Sequence, residues 1–313
     1  MRVMVIDPVH EVLMERLSEN GYSIDYVPDI TREQVLESIA DYQGLVLRSK
    51  MAVDWQVIER ARRLRFIGRI GSGMENIDVA LARKKQIQCF NSPEGNRDAV
   101  GEHALGMLLS LMNKIPRSDR EVRSGIWDRE ANRGTELKGR TVALIGCGNT
   151  GSAFARKLSG LEVHTIAFDK YRHGFSGAFV REKSMEEVYD QADVLSLHVP
   201  LTEETRYLVD DAFIGRFRKP IILINTSRGE VVRTSDLVAH LKEGKVRAAG
   251  LDVLEYESKT FEKLHHLQDL PPHFTRLAAM DQVILTPHVA GWTHESYRKL
   301  SEVMAGKIIR HFE

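Results

Sequence analysis

The sequence has few cysteines, no net charge and no long hydrophobic run. Its 313 residues include only Cys89 and Cys147, too few for a disulfide framework, so we expect a reducing compartment, the cytoplasm. The 44 basic residues equal the 44 acidic residues in number, which argues against a general binder of nucleic acid or membrane surfaces. The apolar run at residues 3–6 stops at Asp7, too short for a signal-peptide core or a membrane span. These absences favour a small polar molecule as the partner.

What the sequence does contain is an alternation of short β-branched runs with helix-period stretches. This pattern predicts an α/β fold with largely parallel sheets, and the length suggests two domains because single domains usually have roughly 100 to 200 residues. In the first series the predicted strands are residues 2–6, 23–27, 44–47, 66–69 and 87–90. In the second series they are residues 141–145, 163–168, 194–197, 221–224, 248–253 and 283–285. The second series suits a doubly wound sheet.

A helix and a polar stretch separate the two series of strands, and a second helix follows the last strand. An apolar-rich helix is predicted from residue 98 to 114, and Pro116 ends it before a polar stretch at residues 117–138. A closing helix at residues 294–312 has no sheet of its own to cover, so we expect it to pack on the first lobe. That lobe would then be discontinuous in sequence.

Residues 146–151 (Gly-Cys-Gly-Asn-Thr-Gly) have the GxGxxG pattern of dinucleotide-binding turns. The turn directly follows a predicted strand and precedes a helical stretch, so a pyrophosphate would meet a helix N-terminus. Gly146 permits the tight turn, Gly148 lets the backbone approach the phosphates, and Gly151 permits close packing of helix on strand. An ordinary glycine turn is the alternative. Cys147 lies near the same helix N-terminus, a setting that can favour thiolate, but a redox role is not the interpretation that we favour.

Asp169 is a further element of the dinucleotide pattern. It ends the second strand of the series, 18 residues after Gly151, close to the spacing expected of the acid that binds the ribose 2′-hydroxyl. A carboxylate there disfavours a 2′-phosphate and therefore predicts NAD. Lys170 and Arg172 leave NADP open, because a nearby cation can accommodate the additional phosphate.

Three residues in the second half have the properties that hydroxy-acid chemistry requires. That chemistry needs a cation for the carboxylate, a proton shuttle for the hydroxyl and a group that orients the shuttle. Arg228, Glu257 and His288 each follow a predicted strand of the second series, where open α/β sheets bind ligands. The planar guanidinium of Arg228 suits a carboxylate. For His288 a purely structural histidine is the alternative, and the strand-end position favours catalysis.

Together with further motifs, these residues resemble the D-isomer-specific 2-hydroxyacid dehydrogenase family over nearly the whole chain. The pattern is most like that of members that act on 3-phosphoglycerate and lack a regulatory domain. The resemblance is carried by residues 46–49 (Val-Leu-Arg-Ser), 69–78, 96–102, 146–151, 197–200 (Leu-His-Val-Pro), 225–229, 250–253 (Gly-Leu-Asp-Val) and 286–288 (Thr-Pro-His). It implies two Rossmann-like or flavodoxin-like lobes with parallel sheets and an active site in the cleft between them. Residues 1–97 plus 290–313 would form the substrate-binding lobe, and residues 98–289 the NAD-binding lobe.

The resemblance also implies roles for single residues. His288 would be the general acid/base, Glu257 its hydrogen-bonded partner, and Arg228 the residue that binds the substrate carboxylate. The residues implied to contact the cofactor are Gly146, Gly148, Asn149, Thr150, Gly151, Asp169, His198, Pro200, Thr205, Thr226 and Asp252, the last at the nicotinamide end. The residues implied to contact the substrate are Arg48, Ser49, Gly71, Ser72, Gly73 and Asn96. A homodimer is implied as well, with its contact near the mixed-charge residues 117–133.

The substrate and even the class of function stay open in the sequence. Arg48 and Lys50 could hold a phosphate, which makes 3-phosphoglycerate the first choice and glyoxylate, hydroxypyruvate or another 2-keto acid the alternative. A non-catalytic, NADH-responsive binding protein is an alternative of another class, because corepressors are built on this scaffold. Trp292 could either shape the mouth of the active site or pack the hinge.

The segment at residues 259–280 is longer than is usual between the partner Glu and the catalytic His of the family. It carries His265, His266 and His273. No carboxylate or cysteine completes a recognisable ligand spacing with them, so we expect no metal. A solvated loop is the interpretation that we favour.

Overall fold

The structure, a computed structural model, describes residues 1–257 and 270–313. These residues fall into two units. The first consists of Met1–Arg97 and Trp292–Glu313, and the second of Asp98–Glu257 together with residues 270–291. Each unit has its own parallel sheet.

The first unit begins with alternating strands and helices. Its strands are β1 (Arg2–Val5), β2 (Ser23–Tyr26), β3 (Gly44–Leu47), β4 (Phe66–Arg69) and β5 (Gln88–Asn91). The helices between them are α1 (Val12–Glu19), α2 (Arg32–Ser38), α3 (Trp55–Arg60) and α4 (Val79–Lys84), with a 3-10 turn at Ile39–Asp41. The sheet order β2-β1-β3-β4-β5 is the flavodoxin-like order. The central strand β3 is buried along its whole length, as expected of a parallel sheet covered on both faces.

The second unit is a doubly wound sheet. Its strands are β6 (Thr141–Ile145), β7 (His164–Phe168), β8 (Arg181–Glu182), β9 (Val194–Leu197), β10 (Ile221–Asn225), β11 (Val246–Leu251) and β12 (Val283–Leu285). Its helices are α5 (Arg97–Met112), α6 (Ile115–Arg123), α7 (Asn149–Leu158), α8 (Met185–Gln191), α9 (Asp211–Gly215), α10 (Thr234–Glu243) and α11 (Pro272–Ala278), with 3-10 turns at Ser159–Leu161 and Gly229–Val231. The order β8-β7-β6-β9-β10-β11-β12 is that of the Rossmann fold. The strand order reverses between β6 and β9, which is where such sheets bind ligands.

The closing helix α12 (His294–Phe312) belongs to the first unit. A capping box at Thr293 begins it. Its residues Leu300, Met304 and Ile308 are buried in one cluster with residues of β1 and β4, so the helix covers one face of the first sheet. Within residues 1–257 and 270–313, no helix combines the length and the apolar character that crossing a bilayer requires.

The predicted α/β fold with parallel sheets is confirmed, and two elements differ from the sequence pattern. Pro116 does not only end the preceding helix: Lys114 turns the chain with φ of 52°, and Pro116 lies in the first turn of α6. A proline is tolerated there because the first N–H groups of a helix have no intrahelical partner. The second sheet also gains β8, which has only two residues and no apolar run to indicate it.

Candidate active site

His288 and Glu257 form a hydrogen-bonded pair in the second unit. Nδ1 of His288 lies 2.6 Å from Oε2 of Glu257, and the two side chains are only 25% and 14% exposed. The other carboxylate oxygen accepts the backbone N–H of Leu254 at 2.5 Å, so the carboxylate is held from two sides. An ionised carboxylate can only accept, so Nδ1 carries the proton and the neutral ring has its lone pair on Nε2. Nε2 is therefore the atom suited to exchange a proton with a substrate.

The loop that carries His288 is held by the buried carboxylate of Asp252. Oδ1 of Asp252 accepts the Thr286 hydroxyl at 2.5 Å and the Val289 N–H at 2.9 Å, and Oδ2 accepts the Ala290 N–H at 2.8 Å. The backbone N–H of His288 donates to the Asp252 carbonyl at 2.8 Å. The backbone of His288 is unusual, since its φ of 55° lies in the left-handed region. The contacts with Asp252 stabilise this conformation. The structure thus gives Asp252 a role in holding this loop, alongside the cofactor contact that the sequence predicts.

His103 on α5 extends this network. Its Nε2 lies 3.1 Å from the Thr286 hydroxyl oxygen and 3.5 Å from Oδ1 of Asp252. Because the hydroxyl donates its one proton to Asp252, its oxygen accepts from His103, and the His103 proton lies on Nε2. Sequence reasoning missed His103, since it lies on a helix and 183 positions separate it from Thr286.

Arg228 lies in a rigid turn after β10. The side chain of the buried Asn225 donates to the Arg228 carbonyl at 2.9 Å, and its Oδ1 accepts both the N–H and the hydroxyl of Ser227. The guanidinium of Arg228 donates to the Ser227 carbonyl at 2.6 Å. A planar guanidinium on a fixed turn is suited to bind a carboxylate.

The three candidate catalytic residues follow neighbouring strands. Asn225 at the end of β10 pairs with Leu251 of β11, and Leu251 pairs with Leu285 of β12. Arg228, Glu257 and His288 therefore all follow the carboxyl edge of one sheet, as the sequence predicts. Two of these side chains, those of His288 and Glu257, hydrogen-bond each other.

The turn between β6 and α7 fits the pyrophosphate of a dinucleotide. Gly146 has φ of 92°, and a Cβ on Gly151 would collide with the Gly146 carbonyl oxygen, so both positions require glycine. The helix α7 begins at Asn149, directly after Gly148. Among the described residues, nothing beyond the chain neighbours lies within 4 Å of where a Cβ on Gly148 would be. A helix N-terminus with an approachable backbone is an anion site.

Asp169 is tied to this glycine-rich turn. Its Oδ2 accepts the backbone N–H of Cys147 at 2.9 Å, and its Oδ1 accepts those of Tyr171 and Arg172 at 3.0 and 3.1 Å. The carboxylate is therefore fixed beside the turn at the carboxyl end of β7. This geometry suits the recognition of a ribose hydroxyl next to a bound pyrophosphate.

Two threonines predicted to contact the cofactor have different surroundings. Oγ1 of Thr226 is buried and has no hydrogen-bond partner among the described residues, and buried polar atoms normally have one. A bound ligand would satisfy it. Thr205 has a structural role as well, because its hydroxyl donates to the Pro200 carbonyl at 2.6 Å and so closes the loop that follows β9.

His198 lies beneath the glycine-rich turn. Its Nε2 lies 2.9 Å from Oγ of Ser196, and its Nδ1 lies 3.3 Å from Oγ1 of Thr150. Burial lowers the pKa of His198 to about 4, because a low-dielectric surrounding disfavours the charged ring. The residue is therefore neutral at physiological pH and supports the turn through Thr150.

The substrate residues predicted in the first unit lie after three neighbouring strands of its sheet. Arg48 and Ser49 follow β3, Gly71, Ser72 and Gly73 follow β4, and Asn96 follows β5. The hydroxyl of Ser72 donates to Oδ1 of Asn96 at 2.9 Å. The structure thus brings the segments after β4 and β5 together at one edge.

Arg48 and Lys50 differ in how their side chains are engaged. The guanidinium of Arg48 stacks 4.0 Å over the ring of Trp292, which is 65% exposed. The ammonium of Lys50 donates to the carbonyl of Pro28. Each cation thus has a neighbouring group in the first unit, the ring of Trp292 for Arg48 and the Pro28 carbonyl for Lys50.

Cys147 does not have the environment of a reactive thiol. It is 2% exposed, and burial raises the pKa of its thiol. The surroundings of Cys147 therefore favour a structural thiol rather than a thiolate at this position.

In the described ranges, no group of three or more His, Cys, Asp or Glu side chains is arranged to hold a metal ion. His265 and His266 lie outside the described residues, as do Ser258 to Asp269 generally. His273 is described, and its ring hydrogen-bonds the hydroxyl of Tyr256.

The fold and the site together define a dinucleotide-binding protein with a histidine–carboxylate pair at its strand ends. Residues 105–290 match the model of the D-isomer specific 2-hydroxyacid dehydrogenase, NAD binding domain. The chain is 31% identical over 310 residues to a hydroxypyruvate reductase from Thermotoga maritima, covering 99% of this chain and 97% of that protein. The chain therefore belongs to the D-isomer specific 2-hydroxyacid dehydrogenase family.

Two further comparisons bear on activity and fold. The chain is 32% identical over 311 residues to a D-3-phosphoglycerate dehydrogenase from Archaeoglobus fulgidus, covering 99% of this chain but only 57% of that protein. A solved structure of D-lactate dehydrogenase with NAD⁺ from Lactobacillus jensenii is similar with a TM-score of 0.81 and 27% identity, covering 99% of this chain and 97% of that one. The chain thus spans little more than half the length of the Archaeoglobus fulgidus relative.

Proposed function

We propose that the protein is an NAD-dependent dehydrogenase that interconverts a 2-hydroxy acid and the corresponding 2-keto acid. The observation that carries this proposal is the 2.6 Å contact between His288 and Glu257, in a unit that matches the family's NAD-binding domain. In this proposal residues 98–289 hold the cofactor, and residues 1–97 with 290–313 contribute substrate contacts.

The chemistry divides among three side chains. A bound nicotinamide supplies the hydride acceptor or donor. During oxidation Nε2 of His288 takes the hydroxyl proton of the substrate, and during reduction it returns that proton. Glu257 stabilises the imidazolium that forms, and Arg228 binds the carboxylate of the substrate.

The first substrate pair that we propose is 3-phosphoglycerate and phosphohydroxypyruvate. Support comes from Arg48 after β3 and from the similarity to the archaeal phosphoglycerate dehydrogenase. A second candidate is the reduction of hydroxypyruvate or glyoxylate. It is favoured by the contact between Lys50 and the Pro28 carbonyl, which leaves one cation fewer for a phosphate. The reductase relative that matches along 97% of its length supports it as well.

NAD rather than NADP is the cofactor that we propose. Asp169 is held by three backbone N–H groups, so its carboxylate is fixed where a 2′-phosphate would have to approach. The carboxylate of Asp169 and a 2′-phosphate beside it would repel each other, whereas a 2′-hydroxyl donates to the carboxylate oxygens.

The alternative of another class is an NADH-responsive protein without turnover. The His288–Glu257 pair and the Asp252 contacts around it favour catalysis. A protein that only binds NADH needs neither a fixed histidine tautomer nor a histidine in a left-handed backbone conformation. Absent turnover with every keto acid, together with intact NADH binding, would favour the alternative.

We also propose a homodimer that buries the surface around α6. Ile115, Val122, Ile126 and Trp127 are 52% to 79% exposed within a short stretch, and large exposed apolar patches mark interaction sites. Acidic and basic side chains alternate along the same stretch, so the surface is suited to pair with a copy of itself across a two-fold axis. Light scattering on the wild-type protein and on Trp127→Asp tests this; the variant should be monomeric.

A steady-state screen tests the proposed function. NADH and NADPH are each combined with phosphohydroxypyruvate, hydroxypyruvate, glyoxylate, pyruvate and 2-oxoglutarate, and a His288→Asn preparation serves as the control for contaminating activity. We expect the highest kcat/KM with NADH and phosphohydroxypyruvate. Efficient turnover of hydroxypyruvate or glyoxylate without turnover of the phosphorylated acid would replace the first substrate by the second candidate.

A further inference from the structure

Two cations flank Asp169, and both are engaged by neighbouring groups. Nζ of Lys170 lies 2.9 Å from Oε2 of Glu204. The guanidinium of Arg172 donates to the backbone carbonyl of Cys147. The two engagements differ in kind, because a carboxylate neutralises the charge of its partner whereas a carbonyl does not.

Glu204 reaches this position from the loop after β9. The same carboxylate oxygen that contacts Lys170 also accepts the hydroxyl of Tyr171 at 2.5 Å. The loop is held by Thr205, whose hydroxyl accepts the Thr202 N–H at 2.8 Å and donates to the Pro200 carbonyl. The hydrogen bonds from Tyr171 and Lys170 lower the pKa of Glu204, so it is ionised at neutral pH.

The group around the end of β7 therefore contains two carboxylates and two cations. Asp169 and Glu204 carry two negative charges, and Lys170 and Arg172 carry two positive ones. A 2′-phosphate adds nearly two negative charges at pH 7 and needs a cation that is not already paired. Arg172 keeps its charge, but to recruit Lys170 as a second cation the phosphate would have to draw it away from Glu204, while Asp169 and Glu204 repel the phosphate.

We propose that Glu204 is a second selectivity residue for the cofactor, which disfavours NADP by neutralising Lys170. The inference rests on the proposed NAD-dependent function. It assigns to Glu204 a role that the GxGxxG pattern and Asp169 do not contain. It also explains why Lys170 beside the ribose acid does not favour NADP.

Equilibrium binding of NAD⁺ and NADP⁺ measured by calorimetry tests the proposal, because the two ligands differ only in the 2′-phosphate. Glu204→Gln should lower the Kd for NADP⁺ by about three- to fivefold, the range of an exposed charge pair, and leave the Kd for NAD⁺ within about twofold. The gain should shrink at high ionic strength, since these side chains are solvent-exposed. Glu203→Gln, an exposed neighbour with the same change of charge, is the matched control and should leave both values unchanged.

A second substitution separates the proposed mechanism from a general effect of net charge. In the double variant Lys170→Met/Glu204→Gln the gain in NADP⁺ affinity should disappear, because the released cation is missing. Thermal melting checks that each variant is folded. A Glu204→Gln protein that binds NAD⁺ normally but has the wild-type ratio of the two Kd values overturns the inference alone. Failure of every variant and of the wild type to bind either dinucleotide overturns the proposed function, and the inference with it.

Discussion

Nδ1 of His288 and Oε2 of Glu257 lie 2.6 Å apart although 31 positions separate them in the chain. The adjacency of β11 and β12 in the sheet brings them together, because Leu251 and Leu285 at the ends of these strands are paired. The Leu254 N–H then orients the carboxylate towards the ring. A proton-accepting Nε2 thus follows from the sheet order and from one backbone hydrogen bond.

Replacement of His288 should separate catalysis from cofactor binding. His288→Ala removes the proton acceptor, so we expect kcat to fall by about 10² to 10⁴-fold, the usual contribution of general acid–base catalysis. The Kd for NAD⁺, measured by calorimetry, should stay within about twofold. Glu257→Gln should have an intermediate kcat, because the tautomer can persist while the charge that stabilises the imidazolium is lost. Unchanged turnover of His288→Ala would rule out the assignment.

Much of the fold could be predicted because its signals are local. The strands that begin at residues 44, 66, 141 and 194 are short runs rich in apolar residues, and their predicted limits agree with the structure at both ends. The helix α6 was not predicted, because Pro116 is compatible both with the end of one helix and with the first turn of the next. The two-residue strand β8 depends on its pairing with β7 rather than on its own composition.

The candidate site could be predicted in part because strand ends are visible in sequence, whereas side-chain contacts between distant segments are not. Arg228, Glu257 and His288 follow strands, so their edge of the sheet could be inferred. The contact of His103 with Thr286 and that of Lys170 with Glu204 join segments that are distant in the chain. No sequence motif links these segments, so the contacts could not be predicted. For Lys50 the sequence predicted a charge in the right loop but not the direction of its side chain, which the Pro28 carbonyl determines.

His103 should act as a positioning residue for the loop that carries His288. His103→Phe removes the donor and leaves the Thr286 oxygen without it, so we expect kcat to fall by about tenfold, the equivalent of one buried hydrogen bond. The Kd for NAD⁺ should change little. His103→Gln can place a donor near the position of Nε2 and should recover most of kcat. Equal losses of kcat in the two variants would instead point to a packing role for the imidazole.

Trp292 should influence substrate affinity through Arg48. Its ring covers one face of the Arg48 guanidinium at 4.0 Å, and an exposed cation–π contact of this kind contributes up to about 1 kcal/mol. Trp292→Ala should therefore raise KM for the keto acid by about two- to fivefold, while Trp292→Phe keeps an aromatic face and should raise it less. Initial rates at saturating NADH give KM and kcat separately. A loss confined to kcat, with KM unchanged in both variants, would contradict a role in substrate affinity.

His198 should make the stability of the dinucleotide-free protein depend on pH. Burial lowers its pKa from 6.5 to about 4 in the folded state, so unfolding at a pH between these values is coupled to proton uptake. The stabilisation is complete above about pH 6.5 and is lost as the pH falls towards 4. Between pH 7.5 and pH 5 this residue alone should reduce the free energy of unfolding by about 1 to 2 kcal/mol.

Urea unfolding of the wild type and of His198→Gln across this range measures the difference in the free energy of unfolding between the two proteins. Other acids titrate in both proteins, so the difference between the two curves isolates His198. The difference in the free energy of unfolding should narrow as the pH falls, since the variant lacks the group that takes up the proton. Parallel curves would show that His198 is not neutral and buried in solution.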